Sequence, residues 1–178
     1  MSLPKKLANY LQKNQVPYEI VEQPAAFTSQ KTAQAVHLPG ARMAKAVMVN
    51  IRERDQERDV MMVLPADHVV DFLKLGILLG VRRKLRMEEE YEFQHLFPDS
   101  ETGAMPPFGE LYEIPCFVDN ALLKGEYVAF NGGNHHECLC MRTADFIRVL
   151  KAKQGDFSVR RASLRDGSSY RAVRQRVP

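Results

Sequence analysis

One bend in the chain combines residue types that could take part in catalysis. The stretch SETGAMPPFGELYEIP, residues 100–115, places two prolines and two glycines within seven residues, with Met105 and Phe108 between them. Prolines fix backbone dihedrals, so a bend of this kind can hold neighbouring amides in place at low reorganisation cost. The amides of Ala104, Met105, Phe108 and Gly109 are therefore candidate donors to an oxyanion. The alternative is a stiff connector whose Phe108 caps the core.

Lys45 is the second candidate. It stands at the beginning of the apolar run AKAVMVNI, shortly after a Pro39–Gly40 break. A lysine in apolar surroundings can have a lowered pKa, which suits it to binding or proton transfer. The alternative is a side chain that extends its ammonium group to water from the end of a strand.

The stretch NGGNHHECLCM, residues 131–141, follows a glycine pair with two histidines and two cysteines. Adjacent strand residues face opposite sides, so His135 and His136 cannot easily share one ligand. His136, Cys138 and Cys140 share one side, but their spacing is not that of a zinc site. Thiols in apolar runs disfavour the thiolate. We expect no metal, no cofactor and no cysteine nucleophile.

The common motifs of nucleophilic, metal and nucleotide chemistry are absent from the sequence: G-x-S-x-G, the P-loop, H-E-x-x-H and the dinucleotide fingerprint. A hydrolase built from this sequence would therefore have to orient water with a lysine, a histidine and backbone amides.

The elements that must position these residues alternate between strand and helix patterns. The apolar runs 44–51 and 59–65 are joined by a charged segment and predict a hairpin. Further strands are predicted at 16–22, 81–87, 114–119, 127–131 and 137–141, and helices near the N-terminus and at 28–38, 66–76, 88–97 and 143–151. These patterns favour an α+β domain with a mixed, largely antiparallel sheet.

The helix predicted over 66–76 has a specific apolar face. Val69, Val70, Leu73 and Ile77 follow helical spacing, so we expect them to pack together against the sheet.

The composition is that of one ordinary globular domain. The chain has 178 residues, 45% hydrophobic and 26% charged, which is enough to bury a substantial core. It has no run of about 18 apolar residues, and its N-terminus does not resemble a signal peptide. Its three cysteines do not form a disulfide pattern. We expect a cytoplasmic protein that does not enter a membrane, with a domain at 1–153 and a basic tail at 154–178.

The tail carries a charge of +4 and the rest of the chain −1, which gives the net charge of +3. Residues 156–178 hold six arginines and two aspartates. Arginines can neutralise nucleic-acid phosphates without reading sequence. A solvated, disordered terminus is the alternative.

Three segments in order resemble the YbaK and prolyl-tRNA-synthetase-associated editing-domain superfamily of aminoacyl-tRNA deacylases. They are FTSQKTAQAVHLPGARMAKAVMV, LFPDSETGAMPPFGELYEIPCFVD and FNGGNHHECLCMRTADFIRVL, and the resemblance runs from about Leu7 to Leu150. The functionally central lysine of that family matches Lys45. A histidine that follows a glycine pair in many members matches His135 better than His136. The family's G-x-x-x-P loop matches Gly103, Ala104, Met105, Pro106 and Pro107.

The resemblance implies a central mixed sheet wrapped by helices and a reaction. The reaction is hydrolysis, in trans, of the ester that joins a wrong amino acid to the 3′ end of a tRNA, here of the tRNA(Pro) type. Such editing is needed because one methylene in an apolar pocket contributes only about 1–3 kcal/mol of discrimination. Implied partners are the mischarged tRNA and an aminoacyl-tRNA synthetase. One departure is Ala46, where several members have a polar residue, often Asn; it weakens the assignment of a particular substrate.

These considerations define a predicted site. We expect Lys45, Gly103 and His135 to be catalytic: the lysine anchors the aminoacyl ester or the adjacent phosphate, the loop amides stabilise the oxyanion and place water, and the histidine orients substrate or water. Predicted substrate-binding residues are Phe27, Ala104, Met105, Pro106, Pro107, Phe108, Gly109 and Gly133. The alternatives are a non-catalytic module that binds aminoacyl-tRNA or a synthetase, and a small-molecule-binding domain that uses the same cleft.

Overall fold

The computed structural model describes residues 3–22, 30, 31, 33, 39–53, 56–81 and 85–161. Its strands are β1 (Glu19–Glu22), β2 (Ala44–Glu53), β3 (Gln56–Pro65), β4 (His68–Val70), β5 (Leu85–Met87), β6 (Cys116–Asp119), β7 (Tyr127–Asn131), β8 (Glu137–Arg142), β9 (Lys153–Gly155) and β10 (Ser158–Arg160). The α-helices with described bounds are α1 (Lys5–Lys13), α2 (Phe72–Leu79), α3 (Glu90–Phe93) and α4 (Thr143–Leu150). In the region of the helix predicted at 28–38, Gln30, Lys31 and Ala33 are helical and the remaining residues lie outside the described part.

The predicted hairpin is confirmed as β2 and β3. These two strands pair antiparallel from Ala44 opposite Pro65 to Glu53 opposite Gln56, and they form the centre of a sheet of order β5-β2-β3-β6-β9. In this sheet β6 runs parallel to both β3 and β9. The antiparallel strands β1-β8-β7 form a second sheet, and a bridge between Met43 and Ala129 joins β7 to the residue before β2. This arrangement confirms the predicted α+β fold with a mixed, largely antiparallel sheet.

Two cores lie on the two faces of the β2–β3 hairpin. Ala44 and Met48 are buried in the first core, which α1, α4 and the 103–109 loop also cover, and Ala46 packs against it. Val49 and Ile51 are buried in the second core, which α2 covers. Alternating side chains of one strand thus point to different cores, as the period of a strand requires.

The prediction of a helix over 66–76 is wrong in its first half, because residues 68–70 form strand β4. The helix begins at Phe72. Its N-cap is Asp71, whose carboxylate accepts hydrogen bonds from the amides of Leu73 and Lys74 at 3.0 and 3.2 Å. β4 pairs antiparallel with β10, which lies about ninety residues further along the chain.

The apolar face predicted for this helix is also wrong. Leu73 and Ile77 are 57% and 82% exposed, while Leu75 is fully buried. Val69 and Val70 belong to β4 and pair with Val159 and Ser158. Because the cap at Asp71 sets the rotation of the helix, its buried face differs from the predicted one.

The domain boundary predicted at residue 154 falls inside β9. β9 pairs with β6, and β10 pairs with β4, so both strands are part of the fold. Between them Phe157 is fully buried, and its amide donates to the Asp119 carboxylate at 2.9 Å. Residues 162–178, with most of the tail's arginines, lie outside the described part of the chain.

In the described part of the chain, no helix combines the length and the apolar character that crossing a membrane requires.

Candidate active site

Hydrogen bonds join the glycine loop, residues 101–109, to the histidine turn, residues 132–137. The Glu101 amide donates to the Gly133 carbonyl at 2.8 Å, and the Gly133 amide donates to the Ala104 carbonyl at 3.0 Å. The Glu101 carboxylate accepts from the His135 amide at 2.9 Å. The fold therefore brings together the two stretches that the sequence singled out.

The His135 side chain completes this junction. Its Nε2 lies 3.0 Å from the Thr102 carbonyl oxygen. A carbonyl only accepts, so Nε2 carries the proton in this contact. His135 is buried and His136 is exposed, so the two histidines do face apart as expected. They lie in the turn before β8, where the Asn134 side chain accepts from the amides of His136 and Glu137 at 2.8 Å.

Two glycines are needed for this junction. Gly103 has a φ of +81°, and a Cβ at this position would lie 3.8 Å from Cε1 of His135. Gly133 has a φ of +100°, and a Cβ there would overlap the ring of Pro4. L-residues rarely adopt such dihedrals, so both glycines are required by backbone conformation, and Gly133 by close packing as well.

The four candidate amide donors of the loop are in different situations. The Ala104 amide donates to the Glu101 carbonyl at 2.9 Å, and the Gly109 amide is directed at the Cys116 sulfur. Among the described residues, the Met105 and Phe108 amides have no hydrogen-bond acceptor. Buried amides are almost always paired. Of the four, Met105 and Phe108 therefore retain the capacity to donate to a bound group.

The apolar side chains of the loop belong to the first core. Phe108 is fully buried, and its ring centroid lies 5.3, 5.8 and 6.0 Å from those of Phe130, Phe146 and Tyr10. Met105 is buried in the same core. These contacts favour the core-capping interpretation of Phe108 over direct contact with a substrate.

The two prolines of the loop, Pro106 and Pro107, are buried as well. The Pro107 carbonyl lies 3.9 Å from the Cys116 thiol, next to the Gly109 amide that is directed at the same sulfur. Gly109 itself is tightly enclosed, because a Cβ there would overlap the Ile114 carbonyl. Residues 106–109 of the glycine loop are thus packed onto β6 and the residues just before it.

Lys45 lies on the other face of the sheet from these loop side chains. It has the same parity on β2 as Val49, whose side chain is in the second core, whereas Met105 and Phe108 pack in the first. Its half-buried ammonium donates to the His68 carbonyl at 2.6 Å and to the Ala66 carbonyl at 3.4 Å. The hydrogen bonds of Lys45 and those of the glycine loop therefore involve separate sets of residues.

The surroundings of Lys45 lower its pKa to about 8 from an ordinary value of 10.5. The largest cause is burial of the ammonium, and the positive charge of Arg161 adds to it. The negative charge of Asp67 acts in the opposite direction. At neutral pH the side chain is thus still mainly a cation, so it is suited to attract an anion or a carbonyl oxygen rather than to abstract a proton.

The thiols are poorly suited to nucleophilic chemistry. Burial raises the pKa of Cys116 and of Cys138 to about 12, and it also raises the pKa of Cys140. Cys138 packs 4.0 Å from the Met43 sulfur inside the sheet. No group of three or more His, Cys, Asp or Glu side chains within the described ranges could hold a metal ion.

Phe27, a predicted substrate-binding residue, lies outside the described part of the chain. Sequence reasoning did not single out Glu101, which makes two hydrogen bonds to the histidine turn, one through its amide and one through its carboxylate. Nor did it place Arg161 near Lys45. For Glu101 the sequence signal is an acid two residues before Gly103. The position of Arg161 depends on the pairing of β4 with β10.

Solved structures of low sequence identity share this fold. A hypothetical protein has a TM-score of 0.75 at 18% identity, over 87% of this chain and 100% of its own. A candidate trans-editing enzyme for prolyl tRNA synthetase has a TM-score of 0.71 at 20% identity, over 88% and 96% of the two chains. A candidate signal transduction protein from Marinobacter aquaeolei VT8 has a TM-score of 0.66 at 22% identity, over 92% of this chain and 32% of its own.

A search of curated proteins gives no match to this chain. Family membership follows instead from a match to a family model. The model of the aminoacyl-tRNA editing domain matches residues 23–149, a range that contains Lys45, the glycine loop and the histidine turn. The chain belongs to the aminoacyl-tRNA editing domain family.

Proposed function

We propose that this protein hydrolyses the ester bond of a mischarged aminoacyl-tRNA, in trans to the synthetase that produced it. The observation that carries the proposal is the glycine loop, which is fixed to the histidine turn while the amides of Met105 and Phe108 remain without an acceptor among the described residues. Fixed donors of this kind stabilise charge that develops in a transition state.

In the proposed reaction, water attacks the ester carbonyl and the carbonyl oxygen becomes an oxyanion. The bond between the carbonyl carbon and the ribose oxygen then breaks, and that oxygen takes up the proton that the water releases. The products are a free amino acid and an uncharged tRNA. The loop contributes through its backbone, because the side chains of Met105 and Phe108 lie in the first core.

Lys45 acts as an electrostatic anchor in this proposal. Its ammonium is oriented by the His68 and Ala66 carbonyls and remains largely charged at neutral pH. A fixed cation attracts the phosphate next to the ester or the ester's own polar end. Lys45 lies on the opposite face from the loop side chains, so its partner is more naturally the phosphate of the substrate than the oxyanion held by the loop.

His135 is a positioning residue in this account. Its protonated Nε2 is committed to the Thr102 carbonyl, and its amide is committed to Glu101. Both contacts hold the segment that leads into Gly103. We therefore assign His135 to the geometry of the loop, a narrower role than the orientation of substrate or water that its position in sequence suggested.

The substrate that we propose is a mischarged tRNA of the tRNA(Pro) type, with a prolyl-tRNA synthetase as its source. This follows from the resemblance of the glycine loop and Lys45 to the prolyl-tRNA-synthetase-associated group. The structural neighbour described as a candidate trans-editing enzyme for prolyl tRNA synthetase is in keeping with it. Ala46 packs against the first core, on the face of the sheet that the glycine loop covers, and not on the face of Lys45. Where several family members have a polar side chain, this protein therefore has an apolar one on the loop face.

One observation favours the non-catalytic alternative, in which the domain only binds aminoacyl-tRNA or a synthetase. The ammonium of Lys45 already has two carbonyl acceptors, and its contacts are separate from those of the glycine loop. A domain that only binds tRNA would need the Lys45 cation to attract a phosphate, but it would not need the Met105 and Phe108 amides to stabilise an oxyanion.

A deacylation screen separates these two functions. The protein is mixed with tRNAs mischarged with Ala, Ser, Cys, Thr or Pro, and ester hydrolysis is followed together with tRNA binding. We expect accelerated hydrolysis of at least one tRNA(Pro) species carrying a wrong amino acid, and roughly tenfold slower hydrolysis by Gly103→Ala. Binding without any accelerated hydrolysis would establish the non-catalytic module instead.

A further inference from the structure

The beginning of the C-terminal segment is held beside Lys45. β10 pairs with β4, with Arg160 opposite His68. The same connection is fixed from the other end, because the Asp71 amide donates to the Phe157 carbonyl at 2.8 Å. The position of residues 158–161 is therefore set by the fold.

One turn, residues 66–68, contacts three basic residues, two through their side chains and one through its backbone amide. Lys45 donates to the carbonyls at its two ends, those of Ala66 and His68. The carbonyl between them, of Asp67, accepts from the Arg161 amide at 2.8 Å, and the Asp67 carboxylate accepts from Nε of Arg160 at 3.1 Å. We call this arrangement the cationic turn.

The charges of the cationic turn do not balance. The Asp67 carboxylate is engaged by Arg160 and also lies 2.8 Å from Nδ1 of His68. In the described part of the chain, neither Lys45 nor Arg161 has a carboxylate within ion-pair distance. The two remaining cations are close enough that the charge of Arg161 lowers the pKa of Lys45. Like charges held together by a fold are relieved when an anion binds between them.

We propose that Lys45 and Arg161 together bind one internucleotide phosphate at the 3′ end of the RNA, and that Arg161 is a further substrate-binding residue. This inference rests on the proposed function for the identity of the ligand. Arginine suits the role because its planar, exposed guanidinium can give two parallel hydrogen bonds to a phosphate, while the compact ammonium of Lys45 supplies a point charge.

The test compares Arg161→Gln with a matched control, Arg52→Gln. Arg52 is also an exposed arginine, paired with Glu57 at 3.1 Å, and it lies near the far end of β2, seven residues and about 23 Å along the strand from Lys45. The probe is an RNA minihelix that carries no amino acid and has a single-stranded CCA end. Binding is measured by fluorescence anisotropy over a range of salt concentrations. Arg161→Lys shows whether charge alone is enough.

We expect Arg161→Gln to weaken binding roughly tenfold and to reduce the slope of log affinity against log salt by about 0.7–0.9, the value for one lost phosphate contact. Arg161→Lys should recover part of the affinity, and Arg52→Gln should behave as the wild type does. Equal affinity and slope for Arg161→Gln and Arg52→Gln would overturn the inference.

Hydrolysis assays with the same variants separate this inference from the proposed function. If the wild type hydrolyses a mischarged tRNA and Arg161→Gln changes neither RNA binding nor KM, the inference is wrong and the function stands. If Arg161→Gln weakens RNA binding but the wild type hydrolyses no mischarged tRNA, the phosphate site stands and the deacylase function is wrong. If the wild type binds no RNA, the inference is wrong.

Discussion

The glycine loop with its histidine turn, on one side, and the cationic turn with Lys45, on the other, hold the predicted catalytic residues, and different forces stabilise the two regions. The loop is fixed by backbone hydrogen bonds to the histidine turn and by aromatic packing of Phe108 in the first core. The cationic turn is fixed by carbonyl acceptors and by one carboxylate, and it keeps an excess of positive charge. Substitutions in the loop should therefore act through geometry. Substitutions at the turn should act through charge, with effects that depend on salt and pH.

The largest expected effect is that of Lys45→Ala. Removing the anchoring cation should reduce deacylation by roughly 10²-fold or more, equivalent to about 2.7 kcal/mol of transition-state stabilisation. Lys45→Arg should also be impaired, because a planar guanidinium cannot reproduce two carbonyl contacts made by a compact ammonium. Single-turnover hydrolysis with folding checked by circular dichroism provides the measurement. A folded Lys45→Ala protein with wild-type rates would show that the lysine serves only the structure of the 66–68 turn.

A smaller effect is expected for Gly103→Ala. The positive φ of this residue disfavours a Cβ, so the variant should lose about 1–2 kcal/mol of stability. The shift in the loop should also slow hydrolysis roughly tenfold. Gly80→Ala is the matched control, since Gly80 has a φ of +68° at the end of α2 and its Cβ would meet no atom within 4 Å. Equal losses of rate in the two variants would mean that the effect is one of stability alone.

Glu101 is expected to matter less, because it acts only on the position of the loop. Glu101→Ala removes the acceptor of the His135 amide and should lower kcat about threefold with little change in KM. Glu101→Gln keeps a carbonyl oxygen at the same position, so it should retain most of the rate. The comparison is made by steady-state kinetics on the accepted substrate. An Ala variant as active as the Gln variant would show that this contact does not position the loop.

The depressed pKa of Lys45 predicts opposite pH dependences for stability and activity. Between about pH 8 and 10.5 the unfolded chain holds a proton on this lysine that the folded protein has lost, so the free energy of unfolding should rise with pH in this window. Hydrolysis should fall over the same window as the cation is lost. Urea unfolding of wild type and Lys45→Met at several pH values measures the first effect. The other charged or titratable side chains of the turn, Asp67, His68, Arg160 and Arg161, are common to both proteins.

If the two unfolding curves change in parallel with pH, Lys45 is not the group that titrates. A difference that grows above pH 8 in favour of the wild type supports the assignment.

Ending the chain after Arg161 should have the smallest effect on hydrolysis. The four arginines beyond this point in the sequence can each contact a phosphate, so RNA affinity and the salt slope should both decrease. The truncated protein should hydrolyse the same aminoacyl group from the tRNA as the full chain does, because the ester is bound at the glycine loop. Anisotropy titrations over a salt range test this expectation, and an unchanged slope would show that these arginines do not contact RNA.

Most of the fold could be predicted because its signals are local. The β2–β3 hairpin has two apolar runs around a charged connection, and such runs show their pairing directly in the sequence. The pairing of His68–Val70 with Ser158–Arg160 has no local signal, because its partners are about ninety residues apart. The spacing of Val69, Val70, Leu73 and Ile77 also fits a helix, so the pattern predicts a helix where Val69 and Val70 form strand β4.

The candidate site could be predicted only where chemistry depends on residue type. Gly103, His135 and Lys45 were expected in the site because they match the lysine, the glycine loop and the histidine of the family that the sequence resembles. Glu101 was not, since its role is to hold backbone amides and any acceptor could do this. Arg161 could not be placed near Lys45 without knowing that β10 pairs with β4.

The central claim is that the two regions serve one reaction, the loop in ester hydrolysis and the cationic turn in substrate binding. The most direct measurement is single-turnover hydrolysis of a mischarged tRNA(Pro) by wild type, Gly103→Ala and Lys45→Ala over a range of enzyme concentrations. We predict that Gly103→Ala lowers the rate at saturating enzyme without changing the concentration of half-saturation, whereas Lys45→Ala changes both. Wild-type rates at saturation for both variants would contradict the account.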